Sequence, residues 1–170
     1  MYISHEVLRL NVGFIVHQTV GYYLDFPFEI PSIHLPPDLL LNDFAGNVRV
    51  TRTAQGLLVQ AKLQARIAAE CVRCLTEIQQ LLEIEFSDLY AFTQSSVTES
   101  GLLLPETGKI DLVPVVRDEM LLAIPISPLC KPSCQGLCPV CGENLNETTC
   151  HHEDEDKESD PGELRSVINQ

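Results

Sequence analysis

Seven cysteines supply the chemistry that this sequence most clearly offers. Two of them form the loop Cys71-Val-Arg-Cys74, and five lie between Cys130 and Cys150, among them the turn Cys138-Pro-Val-Cys141-Gly142. Two cysteines spaced in this way let one turn present two thiolates to a tetrahedral metal ion. The proline stiffens the second turn, and its glycine permits the positive φ that directs backbone N–H groups at the sulfur atoms. The pattern predicts structural zinc, because thiolates make the ion a poor Lewis acid.

The candidate zinc ligands are the seven cysteines and one histidine that follows them. They are Cys71, Cys74, Cys130, Cys134, Cys138, Cys141, Cys150 and His152. A structural zinc ion takes four ligands, so the set can fill two sites, with the first four residues in one site and the last four in the other.

A second partition of the same residues is open. The two CxxC loops can share one ion, as in an ordinary zinc ribbon, which leaves Cys130, Cys134 and Cys150 spare or in an incomplete site. Spacing does not decide between the partitions, and we favour the first because it uses every thiolate. His151 and His152 can equally be a solvated pair at the start of an acidic segment. The sequence thus predicts one or two structural zinc ions.

The charge of the chain bears on its partners. The sequence has 24 acidic residues against 11 lysines and arginines, a formal net charge of −13. Electrostatic binding of nucleic acid needs clustered cations, and the sequence has no run of lysine or arginine. We therefore expect a basic protein as the partner, with direct RNA contact secondary. Strong RNA contact would require five cations to share one face: Arg49, Arg52, Lys62, Arg66 and Arg73.

Composition also argues against several classes of protein. An odd number of cysteines cannot pair completely within one chain, and the N-terminal residues lack the features of a secretory signal. No stretch approaches the roughly 18 apolar residues of a membrane span. We therefore expect a cytoplasmic protein with reduced thiols and no membrane partner. Since the sequence has no HExxH, GxSxG or phosphate-binding glycine loop, we expect neither catalysis nor a small-molecule substrate.

Alternating apolar and polar side chains predict the strands that carry the first cysteine pair. The alternation indicates a strand over Asn47–Thr53 and, in part, a second strand over Leu57–Glu70, although the alanines of the second segment also tolerate a helix. A third extended run follows over Ile78–Phe92. These three segments predict an antiparallel meander. Cys71 and Cys74 then lie at the tip of a hairpin, where both sulfur atoms can face one ion.

Other elements are predicted on either side of the meander. Tyr22–Ile30 has the aromatic and β-branched content of a strand, and Pro27 favours an edge position. Pro36-Pro37-Asp38 before three leucines indicates the start of a brief helix. Asp111 is a candidate N-cap for a helix that continues to about Ala123. The predicted fold class is α+β and β-dominant: an antiparallel β-meander, a packed helix and a C-terminal cysteine-rich, zinc-ribbon-like segment.

The chain is predicted to form one domain and a tail. Residues 1–150 are the domain, and about 130–152 are its cysteine-rich, metal-binding segment. Residues 153–170 are predicted to be an acidic, disordered tail, because Glu153–Asp160 is densely charged and has no apolar residue.

Four motifs resemble one protein family. They are the run Leu129–Asn146, the loop Cys71-Val-Arg-Cys74-Leu75, Asp111-Leu112 leading into Asp118–Pro125, and a C-terminal cysteine followed by acidic residues. Together they are similar to the YceD-like proteins, named for large-subunit ribosomal RNA accumulation, from about Glu70 to Cys150. The family often ends this segment with Cys-x-Cys, and this chain has His152 at the second position, which is a chemically acceptable substitute.

The resemblance implies a role in biogenesis of the large ribosomal subunit. Members of the family affect the level or processing of the large ribosomal RNA, and their genes commonly neighbour one for a small large-subunit ribosomal protein. The expected partner is therefore a basic ribosomal protein or a pre-ribosomal particle, in agreement with the charge. Two other functions compete with this non-enzymatic one: an RNA-processing ribonuclease and a metal- or redox-sensing module.

Overall fold

A single antiparallel sheet dominates the structure, a computed structural model that describes residues 5–150. Its strands follow one another in chain order, each paired with the next. They are β2 (Tyr23–Leu35), β3 (Leu39–Arg52), β4 (Gly56–Glu70) and β5 (Glu77–Ala91), after a short β1 (Arg9–Asn11) outside the sheet. The predicted meander is confirmed, and the strand predicted around Pro27 is the edge strand β2.

One face of the sheet is apolar and the other is open to solvent. Along β4, Val59, Ala61, Leu63 and Ala65 are buried, whereas the residues between them are exposed. This period of two follows from the pleat, which directs successive side chains to opposite faces. The apolar side chains on one face of each strand therefore contribute to one core. The polar side chains of β4 lie on the open face: Gln60, Lys62, Gln64 and Arg66.

A second layer covers the apolar face. It contains β1 paired with β6 (Lys109–Asp111), the helix α1 (Val113–Ala123), and the 3₁₀ turns His5–Leu8 and Gly13–His17. A third 3₁₀ turn, Gln94–Ser96, lies in the loop after β5. Leu8, Ile15, Val116 and Met120 from this layer are fully buried in the same core as the sheet. No helix in the described part of the chain has the length and apolar character needed to cross a membrane.

The N-terminus of α1 differs slightly from the prediction. Leu112 occupies the N-cap position, whereas Asp111 ends β6. The Asp111 carboxylate nevertheless accepts a hydrogen bond from the Val113 N–H at 3.0 Å, as a capping side chain would. The helix ends at Ala123, as expected from the prolines that follow it.

The prediction of a brief helix that starts at Pro36-Pro37-Asp38 is wrong. These three residues form the turn between β2 and β3, and Leu39 begins β3 directly opposite Leu35. Leu39 and Leu41 are buried, whereas Leu40 is exposed, which is the alternation of a strand. Pairing with β2 and burial in the core thus override the local helix signal.

A β-bulge bends β3 where it pairs with β4. The pairing passes from Asn42 opposite Arg66 to Ala45 opposite Gln64, so β3 contains one residue more than β4 over this interval. Asp43 takes a positive φ of 49° and is exposed, while Phe44 is fully buried. The extra residue therefore places Phe44 in the core and increases the local twist.

Candidate metal centres

Four cysteines form the first cysteine cluster, at the tip of the β4–β5 hairpin. They are Cys71, Cys74, Cys130 and Cys134, and their Sγ atoms all lie within 4.8 Å of one another. The Sγ atoms of Cys71 and Cys134 are 3.7 Å apart, and those of Cys74 and Cys130 are 3.6 Å apart. Cys71, Cys74 and Cys134 are buried at 0%, 6% and 4% exposure, whereas Cys130 is exposed, so solvent reaches the cluster on the Cys130 side.

Backbone hydrogen bonds shape the hairpin tip that carries this cluster. The Cys71 N–H donates to the Thr76 carbonyl, and the Leu75 N–H donates to the Cys71 carbonyl. Leu75 takes the positive φ of 57° that closes the turn. The two CxxC sulfur atoms therefore lie on the same side of the tip, as the sequence predicts.

The chain from Pro128 onward folds back onto this tip. The Val72 N–H donates to the Pro128 carbonyl, and the Leu137 N–H donates to the Arg73 carbonyl. The Arg73 guanidinium donates in turn to the Cys134 carbonyl at 2.9 Å. Gly136, with a φ of 82°, lies so close to Arg73 that an added Cβ would be 3.1 Å from its carbonyl oxygen. These contacts bring Cys130 and Cys134 to the hairpin although they are distant in sequence.

The other three cysteines form the second cysteine cluster. The Sγ atoms of Cys138, Cys141 and Cys150 lie within 4.8 Å of one another, and those of Cys141 and Cys150 are 3.4 Å apart. The Val140 N–H points at the Cys138 sulfur at 3.4 Å, and Gly142 takes the predicted positive φ, at 76°. Cys138 is buried, whereas Cys141 is exposed, so this cluster is more open than the first.

The protonation of the thiols fits a site for a cation. Burial raises the pKa of Cys71, but hydrogen bonds from the backbone N–H groups of Cys130, Cys74 and Arg73 outweigh it and lower the pKa to about 6. Burial, together with the neighbouring thiols, raises the pKa of Cys130 to about 12. One thiol of the cluster thus ionises readily, and its neighbour then retains its proton. A second thiolate beside the first would be repelled by its negative charge. A divalent cation would offset this repulsion and favour the form in which all four thiols are ionised.

The second cluster shows the same division between its thiols. Backbone N–H groups of Cys141 and Val140 lower the pKa of Cys138 to about 6. The hydrogen bond with Cys141, and then burial, raise the pKa of Cys150 to about 12. Both clusters can therefore hold a metal ion, and sulfur donors of this kind suit zinc.

The structure brings seven of the eight candidate ligands together in the sets of the first partition. The zinc-ribbon partition, in which the two CxxC loops share an ion, does not match this geometry, because Cys71 and Cys74 lie in one cluster and Cys138 and Cys141 in the other. His152 and the acidic tail lie outside the described residues. Among the described residues, the Glu143 carboxylate lies 3.8 Å from the Cys150 sulfur of the second cluster.

Sequence reasoning missed Asn146, which contacts a candidate ligand of the first cluster. The Asn146 side-chain amide donates to the Cys134 sulfur at 3.3 Å. Asn146 follows the second CxxC turn in the sequence, yet it contacts a sulfur of the first cluster. No spacing rule connects an asparagine with a cysteine twelve residues earlier, so the contact depends on the fold.

The five candidate RNA-binding cations do not form an unpaired basic surface. Arg49, Lys62 and Arg66 share the open face of the sheet, but each lies beside a carboxylate. The ion pairs are Arg49–Asp25 at 2.8 Å, Lys62–Glu85 at 2.9 Å and Arg66–Asp43 at 3.9 Å. Arg52 instead lies over the Phe92 ring, and Arg73 belongs to the hairpin tip. The charge available to attract phosphates is therefore small on this face.

Comparison with known proteins gives relatives with the YceD name and others that are uncharacterized. A 39% identical match over 69 residues, 39% of this chain and 22% of the relative, is to "Large ribosomal RNA subunit accumulation protein YCED homolog 1, chloroplastic" from Arabidopsis thaliana. A protein of Haemophilus influenzae named large ribosomal RNA subunit accumulation protein YceD is 30% identical over 82 residues, 43% of this chain and 45% of its own length. An uncharacterized protein of Mycobacterium tuberculosis is 32% identical over 115 residues, 64% of this chain and 55% of its own length.

The match to a family model covers more than half of the chain. It extends over residues 59–166 and is described as "Large ribosomal RNA subunit accumulation protein YceD". The chain spans about half the length of the mycobacterial relatives that it matches. No solved structure matches it. The family match contains all the cysteines of both clusters and confirms the resemblance seen in the sequence. The chain therefore belongs to the YceD family.

Proposed function

We propose that this protein is a non-enzymatic factor for the accumulation and processing of large-subunit ribosomal RNA, held in shape by structural zinc. The observation that carries the proposal is that both cysteine clusters lie inside residues 59–166, the region that matches the family. The family is named for accumulation of the RNA rather than for a reaction on it. The clusters present sulfur donors, which suit a structural ion better than a catalytic one.

The proposed zinc sites join the cysteine-rich segment to the sheet. Cys71, Cys74, Cys130 and Cys134 hold the first ion, and Cys138, Cys141, Cys150 and His152 hold the second. The ions act as cross-links, because the described part of the segment contributes little to the core: its apolar contacts with the first cluster come from Leu129 and Leu137. On this proposal residues 1–150 form one domain, with the acidic residues 153–170 as an appended tail.

The proposed partner is a basic large-subunit ribosomal protein, alone or on a pre-ribosomal particle. Charge supports this choice, since the chain carries a net charge of −13 and the cations on the open face of the sheet are ion-paired. Beside the first cluster, Glu70 and Glu77 face each other across β4 and β5. Two carboxylates so placed repel each other, and a lysine- or arginine-rich segment of a partner would relieve the repulsion.

We expect loss of the protein to lower the amount of large-subunit ribosomal RNA relative to small-subunit RNA. The test is deletion or depletion of its gene in the source organism, with both RNAs quantified from the same cells. Wild-type protein and the Val72→Ala variant, which changes an exposed side chain at the hairpin tip, should restore the ratio, whereas Cys134→Ser should not. An unchanged ratio in cells that lack the protein would refute the role, and cleavage of purified precursor RNA by the protein alone would show that it is an enzyme.

The identity of the fourth ligand in the second site gives a separate prediction. We expect native mass spectrometry to find two zinc ions in the wild-type protein and one in His152→Ala, because three thiolates leave the tetrahedral site incomplete. His151→Ala is the matched control and should keep both ions. If His152→Ala keeps both ions and Glu143→Gln loses one, the Glu143 carboxylate is the ligand instead.

A further inference from the structure

The carboxamide of Asn146 is fixed at both ends. Its nitrogen donates to the Cys134 sulfur at 3.3 Å and to the Asn144 side-chain oxygen at 2.7 Å. Its oxygen accepts the Gln135 backbone N–H at 3.1 Å. The acceptor bond to the oxygen determines which end of the amide faces the sulfur, so the N–H must point towards Cys134.

Asn146 belongs to the loop that the second cluster closes. It lies between Cys141 and Cys150, whose sulfur atoms are 3.4 Å apart. Within the loop, the Asn146 N–H donates to the Asn144 side chain, and the Leu145 N–H donates to the Gly136 carbonyl. Cross-linking the ends of this loop limits the conformations open to Asn146. The ligands of the second site therefore help to position the Asn146 side chain, which contacts Cys134 of the first site.

A hydrogen bond to a ligand sulfur changes how that sulfur binds an ion. The donor partly offsets the negative charge that several thiolates place on one centre, and it fixes the orientation of the sulfur. Loss of such an outer contact typically lowers metal affinity about 10–100-fold.

We propose that Asn146 is a positioning residue that couples the two cysteine clusters, so that an ion in the second site strengthens binding in the first. The proposal rests on the proposed zinc sites. Because coupling between two binding events is reciprocal, an ion in the first site strengthens binding in the second by the same factor.

A double-mutant cycle tests the coupling. The Cys150→Ser variant disables the second site, and zinc affinity of the first site is then measured by competition with a chromophoric chelator, with Asn146 intact and with Asn146→Asp. The Asp side chain keeps the size and the acceptor oxygen of Asn146 but removes the donor. With Asn146 intact, we expect Cys150→Ser to weaken the first site about 10-fold or more. With Asn146→Asp, the first site is already weak, and Cys150→Ser should change it little further.

Three controls make the result specific. Thr149→Ala alters an exposed side chain of the same loop and should leave both affinities unchanged. With cobalt in place of zinc, Asn146→Asp should shift the sulfur-to-metal absorption band of the first site, which a change in loop stability alone would not do. Asn146→Ala, which adds no negative charge, should weaken the first site in the same direction as Asn146→Asp.

The outcomes separate the coupling from the metal proposal. Equal effects of Cys150→Ser with and without the Asn146 amide would overturn the coupling and leave both zinc sites in place. An unshifted cobalt band would overturn the contact between Asn146 and the bound Cys134. A wild-type protein that binds no zinc at all would refute the metal sites themselves, independently of Asn146.

Discussion

Removal of zinc by a strong chelator is expected to release residues 129–150 from the sheet while the sheet itself stays folded. The reason is that the two parts are stabilised differently. The sheet and α1 share one apolar core, whereas in residues 129–150 Leu129 and Leu137 are the apolar side chains that pack against buried cysteines. Structural zinc contributes about 10–16 kcal/mol in isolated zinc-finger peptides. The backbone bonds that join the segment to the hairpin tip contribute only about 0.5–1.5 kcal/mol each.

Hydrogen exchange read by mass spectrometry measures this release directly. After chelation, the amides of Leu137, Cys138 and Leu145 should lose protection, because Leu137 donates to the Arg73 carbonyl at the hairpin tip and the other two donate within the segment. Amides in the middle of β3 and β4 should keep theirs. Cys134→Ser, which removes a ligand of the first cluster, should release the Leu137 amide without chelator, and readdition of zinc should restore its protection only in the wild-type protein. Simultaneous loss of protection in the sheet would show that the ions stabilise the whole domain.

The strands were predictable because each has one buried face. In β4 and β5 the alternation continues almost without interruption, and a period of two has no other common explanation. The first half of β3 was missed for a related reason. Three consecutive leucines, Leu39–Leu41, hide the alternation, and the prolines before them are equally compatible with a turn and with a helix start. Only the pairing of Leu39 with Leu35 distinguishes the two.

Which cysteines group together depends on contacts between distant parts of the chain, and these contacts cannot be predicted from the spacing of the cysteines in the sequence. The sequence shows that Cys71 and Cys74 share a turn, but not which later cysteines approach them. In the structure the Pro128 carbonyl accepts the Val72 N–H, and Gly136 lies against Arg73, so the chain passes the hairpin tip between these two points. Cys130 and Cys134 lie on that stretch and complete the first cluster. The pairing of β1 with β6 could not be predicted from the sequence either, because strands of three residues are too short to show an alternating pattern.

Gly46→Ala is expected to destabilise the domain by about 2–5 kcal/mol, because no side chain fits at this position of β3. Gly46 lies opposite Leu63 of β4 and has a φ of 146°. An added Cβ would lie 2.1 Å from the Lys62 carbonyl oxygen and 2.8 Å from the Leu63 Cα. Both are backbone atoms of the neighbouring strand, so relief requires the strands to separate. The backbone conformation, which side chains rarely adopt, accounts for about 1–3 kcal/mol of this loss, and overpacking against β4 accounts for the rest.

Gly101→Ala separates these two contributions. Gly101 also has a positive φ, at 69°, but an added Cβ would meet no atom within 4 Å. Urea unfolding of the zinc-loaded protein, followed by circular dichroism, should therefore give a loss of about 1–2 kcal/mol for Gly101→Ala and a larger loss for Gly46→Ala. Equal losses would mean that β3 and β4 move apart at little cost. In that case the bulge beside Gly46 would be a flexible point in the strand pair that leads to the first cysteine cluster.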